Sequence, residues 1–229
     1  MSFEDLFPPA ERETLRLAVA DLEGKTSAEI VPFVVARSDA YANAEWKGAA
    51  LGALAAALAA TALFRSVELW GLDPAVWIAL PPIAGAALGW LATRLPPVAR
   101  ALIGAELIEQ RVRRRAESAF LAEELAATAS REGLLLFVSL FERRVLVLPD
   151  VGFRARVPSS AWDRVAEAIA ARLKSHGPAA ALVAGVAQVG EVLNAAGLTI
   201  DSAADRTSRM APVSPGPNEL PDELRLEEE

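Results

Sequence analysis

Five carboxylates fall beside predicted strand and helix ends, where a loop can present a side chain: Glu29, Glu132, Glu142, Asp150 and Asp163. Carboxylates are the groups that hard divalent cations and general acid/base steps call for, and calcium wants several such oxygens at once. Asp150, Glu142 and Glu132 are the candidate metal ligands. Asp150 leads them because it runs into Gly152 at a turn, where a loop can aim a carboxylate. The plainer reading is that all five are ordinary turn and surface residues, since nothing in their spacing makes them converge.

Composition removes most other chemistry. The chain has no cysteine, which excludes disulfides, thiolate catalysis and cysteine-ligated metals. Its one histidine, His176, stands before Gly177-Pro178 at a predicted helix end, where a cation suits the helix dipole. Zinc sites and serine triads of the usual kind need more than that. A net charge of -7 argues against nucleic acid as a partner, because phosphate neutralisation needs clustered excess Lys and Arg. Met1 to Phe7 carries Glu4 and Asp5 and no apolar run, so no cleavable secretory signal is expected there.

The elements that must position these residues follow from periodicity. Ala10 to Gly24 reads as an amphipathic helix with Leu15, Val19 and Leu22 on one face. Glu29 to Val35 reads as a strand, with Pro32 favouring an edge position or a place in the strand's first half. Ser38-Asp39 offers an N-cap for a helix running through Trp46. Val98 to Thr128 predicts a long helix with a break near Gly104, whose Arg111, Arg113, Arg114 and Arg115 alternate with glutamates as on a salt-bridged face. Gly133 to Leu140 suits a central strand covered on both sides, and Arg144 to Pro149 its antiparallel partner. A helix follows from Pro158, with Ser160 and Asp163 in capping-box spacing, then an apolar helix from Ala179 to Ala195. From Thr199 the chain turns rich in Pro, Ser and acidic residues and predicts a flexible acidic tail over 199–229. The fold class expected is α/β, a small mixed sheet flanked by helices, built from residues 1–46 and 95–198.

Residues 47–94 stand apart. Gly48 to Phe64 and Pro74 to Thr93 are uncharged apolar blocks of about 17 and 20 residues, near the length a helix needs to cross a bilayer. They predict a two-helix transmembrane hairpin inserted in the domain, with the lipid bilayer as partner. Gly48, Gly52, Gly85 and Gly89 provide small-residue contact, and Pro81-Pro82 should kink the second span. Trp46, Lys47, Trp70, Trp90 and Arg94 are the expected membrane-interface residues. Basic residues before and after the hairpin place both termini in the cytoplasm. The competing reading is a pair of helices buried in a soluble core.

The series Thr26-Ser27-Ala28-Glu29-Ile30-Val31-Pro32-Phe33-Val34-Val35, then Gly133 to Leu140, Glu142-Arg143-Arg144-Val145 and Asp150-Val151-Gly152-Phe153, resembles the TPM-domain family over roughly residues 10 to 196, with the hairpin as an insertion. The resemblance implies an α/β sandwich, often associated with membranes. Across that family it implies acid phosphatase activity, calcium binding, or a role in assembly and repair of membrane complexes, with no single shared chemistry. Where familiar members carry acidic groups, this chain has Arg131, Leu148 and Arg154. The expectation is therefore a membrane-anchored, non-enzymatic interaction or assembly factor that binds a membrane or cytoplasmic protein. The alternative is a phosphatase using Ca2+ or Mg2+ on carboxylate ligands. A transport path is the third class, and both blocks lack the ionisable groups one needs.

Overall fold

The computed structural model describes residues 6–66, 74–128, 130–199 and 220–227. Seven helices and four strands are formed among them: α1 (Pro9–Glu23), β1 (Glu29–Val35), α2 (Ala42–Ser66), α3 (Pro74–Ala92), α4 (Pro96–Ile103), α5 (Ala105–Ala122), β2 (Gly133–Ser139), β3 (Arg144–Pro149), α6 (Ser159–His176), α7 (Pro178–Ala195) and β4 (Arg225–Glu227). The chain divides into two compact units, one made of residues up to Ser38 and from Val112 onward, the other of Asp39 to Arg111.

The first unit is a four-stranded mixed sheet in the order β3-β2-β1-β4. β1 runs parallel to β2 from Glu29↔Gly133 to Val35↔Ser139, and β2 runs antiparallel to β3 through a tight turn. The uninterrupted apolar runs of β1 and β2 are explained by burial of every residue in both strands. Alternation divides them between two faces. Ile30, Val34, Leu134, Leu136, Val138, Val145 and Val147 join the main core with Leu15 and Val19 of α1, Trp162 and Ile169 of α6, and Leu182 and Val186 of α7. On the opposite face Phe33 stacks on Phe137 with ring centroids 5.9 Å apart.

β4 lies inside the segment for which a flexible tail is expected. It pairs parallel with β1, Phe33↔Arg225 to Val35↔Glu227. The rest of that segment, 200–219 and 228–229, lies outside the described residues. Pro32 is accommodated beside this pairing rather than on a bare edge. The β1 amides that face β2 are those of odd-numbered residues, as Glu29 N–H donating to Glu132 O shows. Pro32 therefore falls in the outward series, one residue before β4 begins, where its missing N–H costs no ladder bond.

Two local expectations change. The long helix breaks at Gly104 as expected, with φ 89°, but it ends at Ala122 rather than Thr128, and a short turn of 3-10 helix follows. The capping box at Ser160 does not form, because the helix begins one residue earlier behind Pro158. In the arginine cluster Arg113 pairs with Glu117 of the same helix, as the alternation predicts, whereas Arg111 meets Asp39 and Arg115 meets Glu227, both outside that helix.

In the second unit α2 and α3 pack antiparallel through their glycines. A Cβ added to Gly52 would meet Gly85 O at 2.1 Å, and one added to Gly89 would meet Gly48 O at 2.1 Å. Only glycine permits such backbone contact. α3 continues as a helix through Pro81 and Pro82. The remaining surface of the pair is apolar and open: Leu51, Leu54, Leu58, Leu63, Phe64, Val76, Ile78, Leu80, Ile83, Leu88 and Leu91 are between 45% and 74% exposed. Three helical stretches are long and apolar enough to cross a membrane, Ala42–Phe64, Ala75–Ala92 and Pro178–Ala195. The third differs from the others in burying Leu182, Val186, Val189 and Leu193 in the sheet's core.

Replacing Gly85 by leucine should force α2 and α3 apart at a cost of about 1–3 kcal/mol, as overpacking does. Thermal unfolding of the detergent-solubilised full chain, followed by helical circular dichroism, checks this. A melting curve unchanged by Gly85→Leu would contradict the close approach.

Candidate functional site

The sheet separates the three candidate metal ligands. Glu132 immediately precedes β2 and Asp150 immediately follows β3, and the antiparallel register brings them to one end, where Asp150 N–H donates to Gly133 O at 2.8 Å. Glu142 sits in the turn between β2 and β3, at the other end, a strand length of roughly 20 Å away at about 3.3 Å per residue. Glu29 is level with Gly133 at the Glu132 end, and Asp163 is exposed on α6.

Each of the three is also committed to donors. Asp150 is buried, and the Arg131 guanidinium meets its two oxygens at 2.7 and 3.2 Å while Val151 N–H donates at 2.7 Å. Burial pushes the Asp150 carboxyl up. The Arg131 hydrogen bonds, the Val151 amide and the charges of Arg131 and Arg154 outweigh it, and the group lies below the usual carboxylate range. Glu132 accepts from Arg156 at 3.0 Å and from the Ser27 hydroxyl. Glu142 accepts from Ser38 N–H at 2.9 Å and from the Ser139 hydroxyl.

The arrangement does not fit calcium or magnesium. Arg131 and Arg156 already supply the positive charge that a cation would bring to Asp150 and Glu132, and Glu142 is out of reach of both. Among the described residues no group of three or more acidic or histidine side chains is arranged to hold a metal ion. Arg131 is one of the residues that stand where the family resemblance leads one to expect acidic groups, and its partner explains the exchange. It takes φ 57°, and Gly152 N–H donates to its carbonyl so closely that a Cβ on Gly152 would stand 2.5 Å from that oxygen. The Arg131, Asp150 and Gly152 contacts thus form one structural clasp that ties the start of β2 to the end of β3.

A carboxyl group overlooked in the sequence is more strongly perturbed. Glu23, at the end of α1, accepts from Ile30 N–H at 2.6 Å. Burial pushes its carboxyl up to about 9, the Ile30 amide works the other way, and contact with Asp222 and the nearby charge of Glu29 add to the rise. It holds its proton at neutral pH. No spacing signal marks Glu23, because Asp222 reaches it from the far end of the chain.

A broad groove of about 1170 Å³ runs along β3 between α5 and α6. Phe120, Leu146, Leu148 and Trp162 line it, with Arg144 and Arg154 among the charged groups at its walls. In the second unit, four of the five expected interface residues gather at the end of the hairpin where the chain enters and leaves. Trp46 is 77% exposed, Lys47 donates to Leu102 O at 3.1 Å, Trp90 donates through Nε1 to Glu45 at 3.1 Å, and Arg94 lies over the Trp90 ring at 4.3 Å. Trp70 lies outside the described residues.

Two measurements follow. Asp150→Asn should destabilise the fold by about 1–3 kcal/mol at neutral pH. The pKa of Asp150 is lowered from 3.8 by folding, so the loss should fade as pH falls through the lower folded value. Denaturant unfolding at pH 7 and near pH 3 checks this, and an equal loss at both would contradict the ion-pair account. Glu23 behaves oppositely. Its folded value near 9 lies above 4.5, so its contribution is fully present below pH 4.5 and is lost as pH rises toward 9. Glu23→Gln keeps an acceptor for Ile30 and should gain stability over the parent between pH 5 and pH 8, by at most about 1.4 kcal/mol per unit. A difference that is flat with pH would rule the proton out.

Comparison with known proteins agrees with this fold. Residues 100–192, from the end of α4 to near the end of α7, match the family model of the TPM domain. No curated protein matches the chain. The NMR structure of BA42 protein from the psychrophilic bacterium Bizionia argentinensis is similar, with a TM-score of 0.56 and 15% identity over 99% of each chain. At that identity the likeness speaks to the fold. The resemblance carried by the β2–β3 strand pair is therefore shown as a match: residues 100–192 are similar to the TPM domain.

Proposed function

We propose that the protein is a membrane-anchored member whose TPM-like domain works as an interaction or assembly module and not as a hydrolase. The observation that carries the anchor is the contrast between the apolar helices. α7 turns its large side chains into the sheet's core, whereas α2 and α3 bury small residues against each other and expose their large ones. Water penalises that surface at about 25 cal/mol per Å², and lipid removes the penalty. Trp46, Lys47, Trp90 and Arg94 at one end of the pair suit a headgroup zone. Lys47 before the first span, and Arg94 and Arg100 after the second, support both termini on the cytoplasmic side with residues 67–73 across the bilayer.

The non-enzymatic part rests on the neutralised carboxylates. A hydrolase of the metal-dependent kind needs converging oxygen ligands, and here Asp150 and Glu132 are closed by arginines while Glu142 stands at the other end of the sheet.

Membranes from expressing cells, washed with alkaline carbonate, should retain the full chain until detergent is added. Recovery of unaggregated protein in the wash supernatant would remove the anchor. Because the natural chain has no cysteine, a single Leu72→Cys variant should react with an impermeant maleimide from outside intact cells, and an Ala10→Cys variant only after lysis. The reverse pattern would invert the orientation. Detergent-purified protein should show no phosphate-ester turnover that depends on added Ca2+ or Mg2+ and is lost in Asp150→Asn. Such turnover would favour the hydrolase reading.

A further inference from the structure

The outer edge of β1 is closed group by group. Among its outward amides, that of Ile30 donates to the Glu23 carboxyl, Pro32 has none, and the last two, of Val34 and Ala36, face β4, with Ala36 N–H donating to Glu227 O at 3.2 Å. β4 contributes three residues, the minimum of a strand, and comes from the far C-terminal end of the chain. Its side chains alternate as the pleat requires. Leu224 and Leu226 pack on the main core, while Arg225 and Glu227 point to the Phe33 face.

On that face α5 and the residue just beyond it present a complementary pair. Glu123 accepts from Arg225 Nε at 2.8 Å, and Arg115 pairs with Glu227. The Arg225 and Glu123 side chains are 22% and 21% exposed, so this pair is partly withdrawn from screening water. Backbone pairing supplies attachment here without regard to sequence. The two charges, of opposite sign and set two residues apart, supply register and direction.

We infer that the β1 edge, read by Arg115 and Glu123, is a docking site for an extended peptide that adds parallel to β1, and that residues 220–227 are its resident occupant. The partner it fits carries apolar residues at alternate positions, with an arginine and a glutamate between and after them, in the order Leu-Arg-Leu-Glu. The resident belongs to the same chain, so its return is an intramolecular event with an effective concentration on the order of millimolar. A partner therefore gains access in proportion to how often the resident leaves. This inference deepens the interaction reading above but does not need the anchor: protein that stays in washed membranes yet takes up no peptide loses this site and keeps that reading.

The test uses the full chain in detergent and two fluorescent peptides of residues 220–229, one native and one with Arg225→Glu and Glu227→Arg. In one protein variant the same two tail residues are exchanged, which repels the resident from Arg115 and Glu123. In the other, Arg115→Glu and Glu123→Arg invert the readers. Anisotropy titration should show the tail variant binding the native peptide roughly tenfold or more tightly than the parent does, and rejecting the exchanged peptide. The reader variant should show the reverse preference. The two variants alter different elements, so a folding failure in one, seen by circular dichroism, leaves the other to decide. Absence of peptide binding by a folded variant, or equal binding of both peptides, would overturn the proposal.

Discussion

The parallel ladder between β1 and β2 is the constraint on which the rest depends. Two adjacent parallel strands cannot be joined by a tight turn, and the connection must leave one end of the sheet and return to the other. In this chain that obligatory connection is residues 36–132, and the whole second unit is built into it. An apolar hairpin can be inserted there without touching the register, because the ladder from Glu29↔Gly133 to Val35↔Ser139 needs only that the chain come back. The antiparallel β2–β3 pair has no such slack, and its turn is short.

This explains what could be read from the amino-acid order. Strong local patterns carried the elements: seven consecutive buried residues in β1 and β2, the three-to-four repeat of Leu15, Val19 and Leu22, and the glycine spacing of α2 and α3. The mixed α/β sheet follows from them. What escaped was set by residues far apart. β4 is three residues within a segment rich in proline and acid, with no hydrophobic period of its own, and it becomes a strand because β1 offers it two amides and the loop beyond α5 offers it a charge. The helix expected to reach Thr128 stops at Ala122 because Leu125 turns in to lie fully buried over Gly133, where a Cβ would be 2.5 Å from its carbonyl oxygen.

The candidate site was legible as a set of residues and not as a geometry. Counting carboxylates near strand ends finds Glu132, Glu142 and Asp150, but it does not tell that one lies at the opposite end of β2, nor that the arginines are aimed at the other two. The departures from the family pattern were the better clue. An arginine where a carboxylate is expected removes one ligand and supplies a competing cation, so Arg131 changes the chemistry of Asp150 twice over. The buried carboxylate then holds loops together, and its lowered pKa reports a structural ion pair. A perturbed pKa marks a functional site only when the perturbing group leaves room for something else to react.

Glu23 and Pro32 show the same economy at the sheet's edge. An exposed strand edge invites unwanted pairing, and folds blunt it with proline, charge or a covering segment. β1 uses two of these along one line, an imino acid at position 32 and β4 beyond it, and adds a carboxyl that accepts from Ile30. The half-buried carboxyl accepts the Ile30 amide while keeping its proton, and Asp222 stands beside it because the covering segment passes there. Closing the upper part of the edge therefore depends on a proton and the lower part on a strand. Of these, only the strand is held by groups that another extended chain of like sequence could satisfy equally well.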